Sequence, residues 1–469
     1  MRPPGRRIVK KSPDVFVIAF CLIILAAVLT WVLPGGRYER EQIKVKETVR
    51  EVVKTGSFQT MPSKPQIGAI FTAPAHGFLK LGSVIVFIFI VGGAFNILND
   101  TGAIAAGIHQ LVRALQQRAY LIIPIVMTVF SFFGGAFGMC EEAMPFALIL
   151  VPMAISLGYD SIVGVCLSFV AAGVGFAAGF MNPFTVQIAQ GIAGLEPLTG
   201  LGYRLVVWAV ATAFTIAWVM VYAARIKANP ERSIMYELDQ ARRAELERSE
   251  EEHKHFTWRD AVCLLILGAA IVGLIVGVTR LKWYMLELAG LFLAMGVAAG
   301  LAAGMGPNKV AKSFITGAKD IAGAALIVGF AGGIIVILEN GQILDTILYG
   351  MASVTSRLGG VLAAQSMFLL QTILNFFIPS GSTKAVLTMP LLAPLADLSG
   401  VTRQTVVLAY QLGTGFTSMI IPTSGVTVGT MALAKIPYEK WVRWHWPQQV
   451  AFAVLSLLAL VWPALSGWN

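Results

Sequence analysis

The chain has 469 residues, of which 57% are hydrophobic and only 13% charged. A soluble chain of that length would split into two or three domains and cover them with roughly 25% charged residues. The composition therefore excludes a soluble enzyme, a disordered protein and a secreted disulfide scaffold, and it leaves a polytopic helical membrane protein.

The formal charge of +10 reads as loop charge that sets topology by the positive-inside rule. It does not read as a nucleic-acid surface, so the expected partners are the lipid bilayer and a small solute. Cys21, Cys140, Cys166 and Cys263 all lie in apolar stretches without metal-ligand spacing. They read as small buried hydrophobes, and neither a metal nor a cofactor is expected.

The first element is an uncharged run from Val15 to Leu33, preceded by Arg2, Arg6, Arg7, Lys10 and Lys11. It is long enough to span a bilayer, which puts the N-terminus in the cytoplasm. Arg37 to Lys64 mixes both charge signs and reads as an outer loop. Leu81 to Asn99 spans back. The stretch from Ala119 to Tyr159 is apolar except for Glu141 and Glu142 near its glycine-rich centre. It is either two full spans or a re-entrant hairpin. Non-helical backbone at membrane depth is tolerated where protein buries it or where it lines a cavity.

Ser161 to Leu195 is uncharged but interrupted at Met181-Asn182-Pro183-Phe184-Thr185. Proline lacks an N–H and asparagine is a good N-cap, so a new half-helix is expected to start there. Leu205 to Ala224 is a plain span. Arg225 to Arg259 alternates acids and bases and reads as a solvated cytoplasmic helix or a flexible connector. Its His253 and His255 make a weak metal case.

Spans follow at Ala261 to Thr279, Leu288 to Gly306 and Ile321 to Leu338, with the basic loop of Lys309, Lys312 and Lys319 between the last two. Leu358 to Ala396 holds a second apolar hairpin interrupted by Lys384. Gln404 to Ala434 is broken at Ile421-Pro422-Thr423-Ser424-Gly425. After Lys435, Lys440 and Arg443 the last span runs from Pro447 to Leu465.

The two halves repeat. Gly92-Gly93 matches Gly332-Gly333 at an offset of 240, Phe132-Phe133 matches Phe376-Phe377 at 244, Met144-Pro145 corresponds to Met389-Pro390, and Asn182-Pro183 matches Ile421-Pro422 at 239. Topology gives the halves opposite orientation. The expected fold is an all-α polytopic membrane protein of two inverted repeats, each with a re-entrant hairpin and a broken helix, about nine spans plus two hairpins in all. The expected organisation is an N-terminal span and outer loop (1–80), repeat 1 (81–224, hairpin 119–159), a cytoplasmic linker (225–259), connecting spans (260–318) and repeat 2 (319–469, hairpin 358–397). Inverted repeats with broken helices are an architecture of secondary transporters, which bind substrate at the midplane between repeats.

Four irregular segments are then expected to converge. The candidate substrate-binding residues are Glu141, Glu142, Asn182, Pro183, Thr185, Ser380, Gly381, Ser382, Thr383, Lys384, Thr423 and Ser424. Half-helix N-termini, hydroxyls and unwound carbonyls can hold carboxylates and cations. Ordinary kinks packed by small residues are the competing reading. Glu141, Glu142 and Lys384 lie where charge is costly, so they should be functional or paired. They could form an ion pair between the hairpins, or bind a proton, Na⁺ or the charged groups of a substrate. Asp100, Asp160, Asp397 and Arg403 sit near span ends and read as interfacial or structural.

The run Gly138-Met139-Cys140-Glu141-Glu142, the segment Gly158 to Gly164, Asn182-Pro183-Phe184-Thr185-Val186, Pro379-Ser380-Gly381-Ser382, Met389 to Asp397 and Ile421-Pro422-Thr423-Ser424-Gly425 resemble the YfcC family. That family belongs with the DcuC-type C4-dicarboxylate carriers of the wider ion-transporter superfamily. The resemblance covers nearly the whole chain. It implies a secondary transporter of the bacterial inner membrane for dicarboxylates or basic amino acids, with substrate and coupling ion at hairpin tips and helix breaks. Glu141, Glu142, Asn182 and Thr414 are the coupling-ion candidates, for Na⁺ or a proton. A homodimer is expected by analogy only.

The chain departs from the family pattern in two places. Ser382-Thr383-Lys384-Ala385 stands where Ser-Gly-Gln-Ala is usual, and Thr414 stands where an acid is common. Together these shift the local charge by +2, as if the Lys384 ammonium replaced a coupling cation. Two acids on one hairpin and a lysine on the other tilt the substrate toward an amino acid. A dicarboxylate carrier is the alternative. A membrane-embedded enzyme is disfavoured because there is no His-Glu-x-x-His, and because His76, His109, His253, His255 and His445 are read as lying in loops or at span ends. A passive channel is disfavoured by the charged hairpin tips.

Overall fold

A computed structural model describes residues 15–45, 48–54, 56–107, 110, 116–196, 198–252, 256–281, 283, 285–355 and 357–468. The basic N-terminal residues, His109, His253 and His255 lie outside the described residues. Long apolar runs without internal breakers become helices, because in hydrocarbon every backbone N–H and C=O must be satisfied within the segment. Helix α1 (Val15–Val32) leads into four short strands, β1 (Gly35–Arg37), β2 (Arg40–Val45), β3 (Thr48–Val53) and β4 (Gln59–Met61). β1 pairs with β4 and β2 with β3, both antiparallel. Asp345 ties this loop down, accepting from Tyr38 N at 3.0 Å and from the Arg40 guanidinium at 3.2 Å.

Helix α2 (Ala73–Lys80) and helix α3 (Gly82–Asp100) are separated by a break at Leu81, where φ is −103° and ψ 21°. Helix α4 (Ile122–Phe137) ends on left-handed Gly138, and a 3₁₀ turn (Glu141–Phe146) leads into α5 (Ala147–Ser156). Helix α6 (Ser161–Ala177) is capped by Asp160 and carries a π turn at Cys166–Val170. After the first break come α7 (Val186–Ile192), the long α8 (Leu201–Ala228) and the linker helix α9 (Tyr236–Glu252).

Helix α10 (Trp258–Thr279) starts with a capping box between Thr257 and Asp260. Then follow α11 (Met285–Ala302), α12 (Pro307–Asp320), α13 (Ala322–Asn340) and α14 (Leu344–Thr355). The second hairpin is α15 (Gly360–Phe377) and α16 (Gly381–Leu398). The second broken helix is α17 (Arg403–Ser418) and α18 (Gly425–Leu433), and α19 (Tyr438–Ala459) with α20 (Val461–Ser466) close the chain.

By length and composition, six helices among the described residues could cross a membrane, or seven if the α12–α13 pair, bent by 48°, counts as one span. Large apolar side chains such as Ile125, Val206, Leu265 and Leu458 face outward. That surface suits lipid and would be poorly solvated by water.

The second hairpin has both of its outer ends together. Gly360 N at the start of α15 donates to Ser399 O just beyond α16 at 3.0 Å, so the two arms enter and leave at one end of the molecule. In the first half, α5 packs on the first turns of α6 and α4 on its later part, so the broken helix contacts both arms of the hairpin.

An offset of 240 recurs in the packing. Helix α2 lies against α13 and α12 lies against α3. The break between α12 and α13, at Ile321, has φ −104° and ψ 6°, close to that at Leu81. Helices α4 and α15 end at Phe137 and Phe377, again 240 apart. Phe132-Phe133 therefore sits a turn before its helix end and Phe376-Phe377 at it, so the sequence offset of 244 was one turn out of register.

Three side-chain expectations need correction. Cys21 is exposed and Cys140 only half-buried, while Cys166 and Cys263 are buried; a thiol on an outward helix face is tolerated by lipid. His445 is fully buried within α19, not at a span end, stacked on Trp441 with centroids 4.9 Å apart. The linker is not simply solvated: Asp239 of α9 is buried because it accepts from Ser161 N at 2.8 Å and Ser161 Oγ at 2.9 Å.

Candidate functional site

The two broken helices cross antiparallel at the centre. A Cβ on Gly415 of α17 would lie 2.1 Å from Ala177 Cα of α6, and one on Gly173 would lie 2.5 Å from Met419 Sδ. Only glycine permits backbones to approach this closely, a usual device in membrane packing. The crossing brings the first break against α17.

The first break is strapped to its own hairpin. Phe180 N, Met181 N and Asn182 N all donate to Gly135 O, at 3.2, 3.1 and 3.2 Å. The half-helix starts later than expected: α7 begins at Val186 with Thr185 as a cap that makes no side-chain bond. Asn182 instead makes a local turn, its Oδ1 accepting from Phe184 N at 2.9 Å, as asparagine before proline often does. Asn182 also seats the first tip, since a Cβ on Gly138 would lie 2.5 Å from Asn182 Oδ1.

At that tip Glu142 is buried and its Oε2 accepts from Cys140 N at 3.2 Å, while Glu141 is half-buried. Glu142 thus works in part as a backbone cap. Its turn packs against α18 of the second half, where Met144 Sδ lies 3.2 Å from the Cβ position of Gly429.

The second tip meets the first break directly. A Cβ on Gly381 would lie 2.7 Å from Thr185 Cγ2 and 3.6 Å from both Thr414 Cγ2 and Phe176 Cζ. Tyr410 OH donates to Gly381 O at 2.6 Å. Ser380 caps α16 by accepting from Thr383 N at 3.5 Å, and its hydroxyl donates to Thr383 Oγ1 at 3.0 Å. Ser380, Thr383 and Pro183 are exposed, and Gly381 and Ser382 half-buried.

Lys384 is fully buried and held inside its own hairpin, donating to Asn375 Oδ1 at 2.7 Å and Gln371 O at 3.1 Å. Asn375 Nδ2 in turn donates to Thr417 Oγ1 at 3.0 Å and Ser418 Oγ at 2.9 Å, at the second break. Among the described residues no ion pair joins Lys384 to Glu142. In the second break Thr423 Oγ1 donates to Phe376 O at 2.9 Å, and Ser424 caps α18 by accepting from Thr427 N at 3.4 Å. Thr414 Oγ1 bonds back to Tyr410 O at 2.6 Å.

Asn182, Thr185, Gly381 and Thr414 are therefore brought together, with Gly138 beside them. Lys384 with Ser380 and Thr383 belongs to the second hairpin, and Thr423 and Ser424 to its junction with α18. Several polar atoms around the crossing are buried without a hydrogen-bond partner in the protein: Asn182 Nδ2, Thr185 Oγ1, Gln411 Oε1 and both amide atoms of Gln371. Gln411 Nε2 donates to Phe176 O, and it lies 3.1 Å from the Cβ position of Gly179, as does Asn182 Cβ. Buried polar atoms are nearly always partnered by protein, water or a bound group, so these atoms have the capacity to hold water, an ion or a polar solute.

Sequence reasoning missed Gln371, Asn375, Tyr410 and Gln411 because it weighed charges inside apolar runs and uncharged polar residues only at the hairpin tips and helix breaks. The uncharged amides were legible in the same way. Arg204 was also missed. It is fully buried at the start of α8, donating to Gln404 Oε1 at 3.0 Å with Trp468 5.5 Å away. Asp160 and Arg403 are structural as expected. Asp160 caps α6 and accepts from Tyr222 and Ser233, both at 2.6 Å. Arg403 pairs with Asp397 at 2.6 Å.

A family model described as C4-dicarboxylate anaerobic carrier, DcuC, matches residues 12–464. The chain is 37% identical over 493 residues to the putative basic amino acid antiporter YfcC of Escherichia coli K12, covering 97% of each. It is 30% identical over 490 residues to an uncharacterized protein of Haemophilus influenzae, covering 96% of each. Among solved structures it resembles Neisseria gonorrhoeae MtrF, at 16% identity and TM-score 0.41 over 96% of this chain and 95% of that one. It also resembles the Alcanivorax borkumensis YdaH transporter, at 16% identity and TM-score 0.42 over 97% of this chain and 99% of that one. With the family model spanning nearly every residue and a YfcC relative matching end to end, the chain belongs to the DcuC family and is a multi-pass membrane transporter of the DcuC/YfcC type.

Proposed function

We propose that the protein is a secondary active transporter that moves a small charged organic solute across the bacterial inner membrane by alternating access. The observation that carries this reading is the cluster of unpartnered buried polar atoms, Asn182 Nδ2, Thr185 Oγ1 and Gln411 Oε1, where two broken helices cross beside a hairpin tip. Two inverted repeats organise it, and the offset of 240 in the packing of α2 on α13 and α12 on α3 supports them. In the proposed nine-span topology with a cytoplasmic N-terminus, the linker helix α9 is cytoplasmic, and Lys435 and Lys440 lying at its end of the molecule support that placement by the positive-inside rule.

The substrate is an amino acid, with basic ones favoured. Glu141 and Glu142 supply negative charge at the first tip, and the lining amides and hydroxyls accept and donate in either sense. The E. coli relative's name points the same way. The alternative is a C4-dicarboxylate or another organic anion. It is supported by the family description and by the cationic Lys384, whose ammonium is bound by two oxygens as a coupling cation would be. In that role Lys384 makes this member less dependent on Na⁺ or protons.

The test is a thermal-stabilisation screen of the purified protein with amino acids and C4-dicarboxylates, with and without Na⁺, followed by counterflow in proteoliposomes. A stabilising amino acid that also shows saturable counterflow is the expected result. Stabilisation by dicarboxylates alone overturns the substrate assignment. Flux without saturation or counterflow, indicating a channel, overturns the carrier.

A further inference from the structure

The linker helix α9 connects the two halves in sequence, but the structure gives it a more specific position. It grips both broken helices at one end of the molecule. Asp239 accepts from Ser161 N and Ser161 Oγ, at the first turn of α6. Arg243 Nη2 donates to Tyr159 O at 3.3 Å. Arg242 pairs with Asp239 at 3.3 Å and also donates to Lys435 O, just past α18. From the other side Lys440 Nζ donates to Ile234 O at 2.7 Å. These are charge-assisted bonds to backbone at helix ends, the stronger kind.

The free edge of α9 faces a cavity of about 320 Å³. Its walls are α3, α5, α18 and the α12–α13 junction, and Arg242, Glu245 and Leu246 of α9 form one side of it. Asp320 and Ile321 of that junction and Lys435 also line it. Its α5 wall runs from Ile155 to Ala147, where the turn that carries the first tip ends, and Leu433 at the end of α18 borders it. At the opposite end the strands β2 and β3 lie against α7 and α16, which are the counterparts of α18 and α5. Each end of the molecule is thus bordered by a segment from outside the spans.

We infer that α9 is a gating clasp, anchored on the first broken helix through Asp239 and past the second through Arg242, and closing its Glu245–Leu246 edge against Asp320–Ile321 to control access to this cavity. The anchor sits on α6 and α18, whereas α3 and α12–α13 pack on one another and on α2. When the broken helices move against that frame, α9 is carried with them and the mouth narrows or widens. The inference rests on the alternating-access reading, but its test needs no transported solute.

The test uses the full-length protein with Cys21, Cys140 and Cys263 replaced by serine. Native Cys166, which is fully buried, is kept as a reporter of intact folding. Ala434→Cys, in the cavity wall, is labelled with a membrane-impermeant charged methanethiosulfonate. Adding Asp239→Ala removes the two hydrogen bonds from Ser161 and the contact with Arg242. The labelling rate should rise at least about tenfold, with Cys166 still unlabelled. Arg243→Ala, which loses the bond to Tyr159 O and leaves the bonds between Asp239 and Ser161 in place, should raise it by about threefold or more and serves if Asp239→Ala does not fold. In parallel, nitroxides at Glu245→Cys and Asp320→Cys should give a narrow distance distribution that Asp239→Ala broadens to longer distances. Unchanged labelling and unchanged distances in a folded variant would overturn the clasp. They would leave the transport reading to its own counterflow test.

Discussion

Gly77 and Gly317 stand 240 residues apart, and each lies face to face with glycines or backbone of the opposite half. A Cβ on Gly77 would come within 2.2 Å of Gly329 O and 2.3 Å of Gly333 N, and one on Gly317 within 2.4 Å of Asn96 Cβ and 2.5 Å of Gly92 O. The frame around the broken helices is built from these two matching contacts. Neither can absorb a methyl group, because the opposing atoms are mostly backbone and cannot rotate away.

Gly77→Ala and Gly317→Ala should each destabilise the protein by about 1–3 kcal/mol, the usual cost of overpacking. Gly323→Ala is the control, since its Cβ would meet nothing within 4 Å, and it should be neutral or slightly stabilising. Thermal unfolding in detergent, followed by fluorescence, reads all three. If Gly77→Ala proves costly while Gly317→Ala is silent, the two contacts are not equivalent and the repeat loses its support.

Thr185→Val tests the candidate site with little disturbance of the fold. Thr185 Oγ1 is buried without a partner and Cγ2 already packs at Gly381, so replacing the hydroxyl by a methyl removes no internal hydrogen bond. The melting temperature without solute should be unchanged or slightly higher, because a buried hydroxyl without a partner is replaced by an apolar group of the same shape. Stabilisation by whichever solute the screen identifies should fall about tenfold in apparent affinity, the cost of one hydrogen bond to a charged group. Asn182→Ala should lose affinity and stability together, because Asn182 also accepts from Phe184 N. A Thr185→Val protein that binds like the parent would move the site away from the first break.

Lys384 makes a separate prediction. Its ammonium is bound by Asn375 Oδ1 and Gln371 O with no exposed surface. If it stands in for a coupling cation, the parent's melting temperature should not distinguish NaCl from choline chloride. Lys384→Gln combined with Thr414→Asp should then gain Na⁺ stabilisation, reaching about 2.7 kcal/mol at a hundredfold excess over Kd. Strict Na⁺ or proton dependence of uptake by the parent would rule the idea out.

Much of this was legible in the residues. The apolar runs, the glycine pairs at offset 240 and the two Pro-centred breaks marked α3, α13 and the ends of α6 and α17, because lipid permits few alternatives to a helix. Asn182, Thr185 and Gly381 were named from composition and do meet. The partners were not legible. Nothing in the sequence says that Lys384 reaches back to Asn375 rather than across to Glu142, since that depends on which helix α15 lies against. The linker misled for a related reason: its alternating charges look solvated, and only the fold brings Asp239 onto the first turn of α6.

That same aspartate gives α9 a pH response. Burial raises the pKa of Asp239, and the bonds from Ser161 with the charges of Arg242 and Arg243 oppose this without overcoming it. The charged groups facing it among the described residues are Asp160, Arg242 and Arg243. Undocking returns the carboxyl to water and to an ordinary value of about 3.9. The docked form thus holds its proton more firmly than the undocked one. By linkage, docking is strongest below the undocked value and weakens as pH rises through the docked value. The Glu245→Cys to Asp320→Cys nitroxide distribution should therefore be narrower at acid pH than at neutral pH. Asp239→Asn, which keeps an acceptor oxygen for Ser161 but cannot titrate, should remove the dependence. A response that persists in Asp239→Asn would assign it to Asp160 instead. A distribution that broadens on acidification would mean that the ionised carboxylate is what holds the helix, and that its bonds to Ser161 and the arginines outweigh the cost of burial.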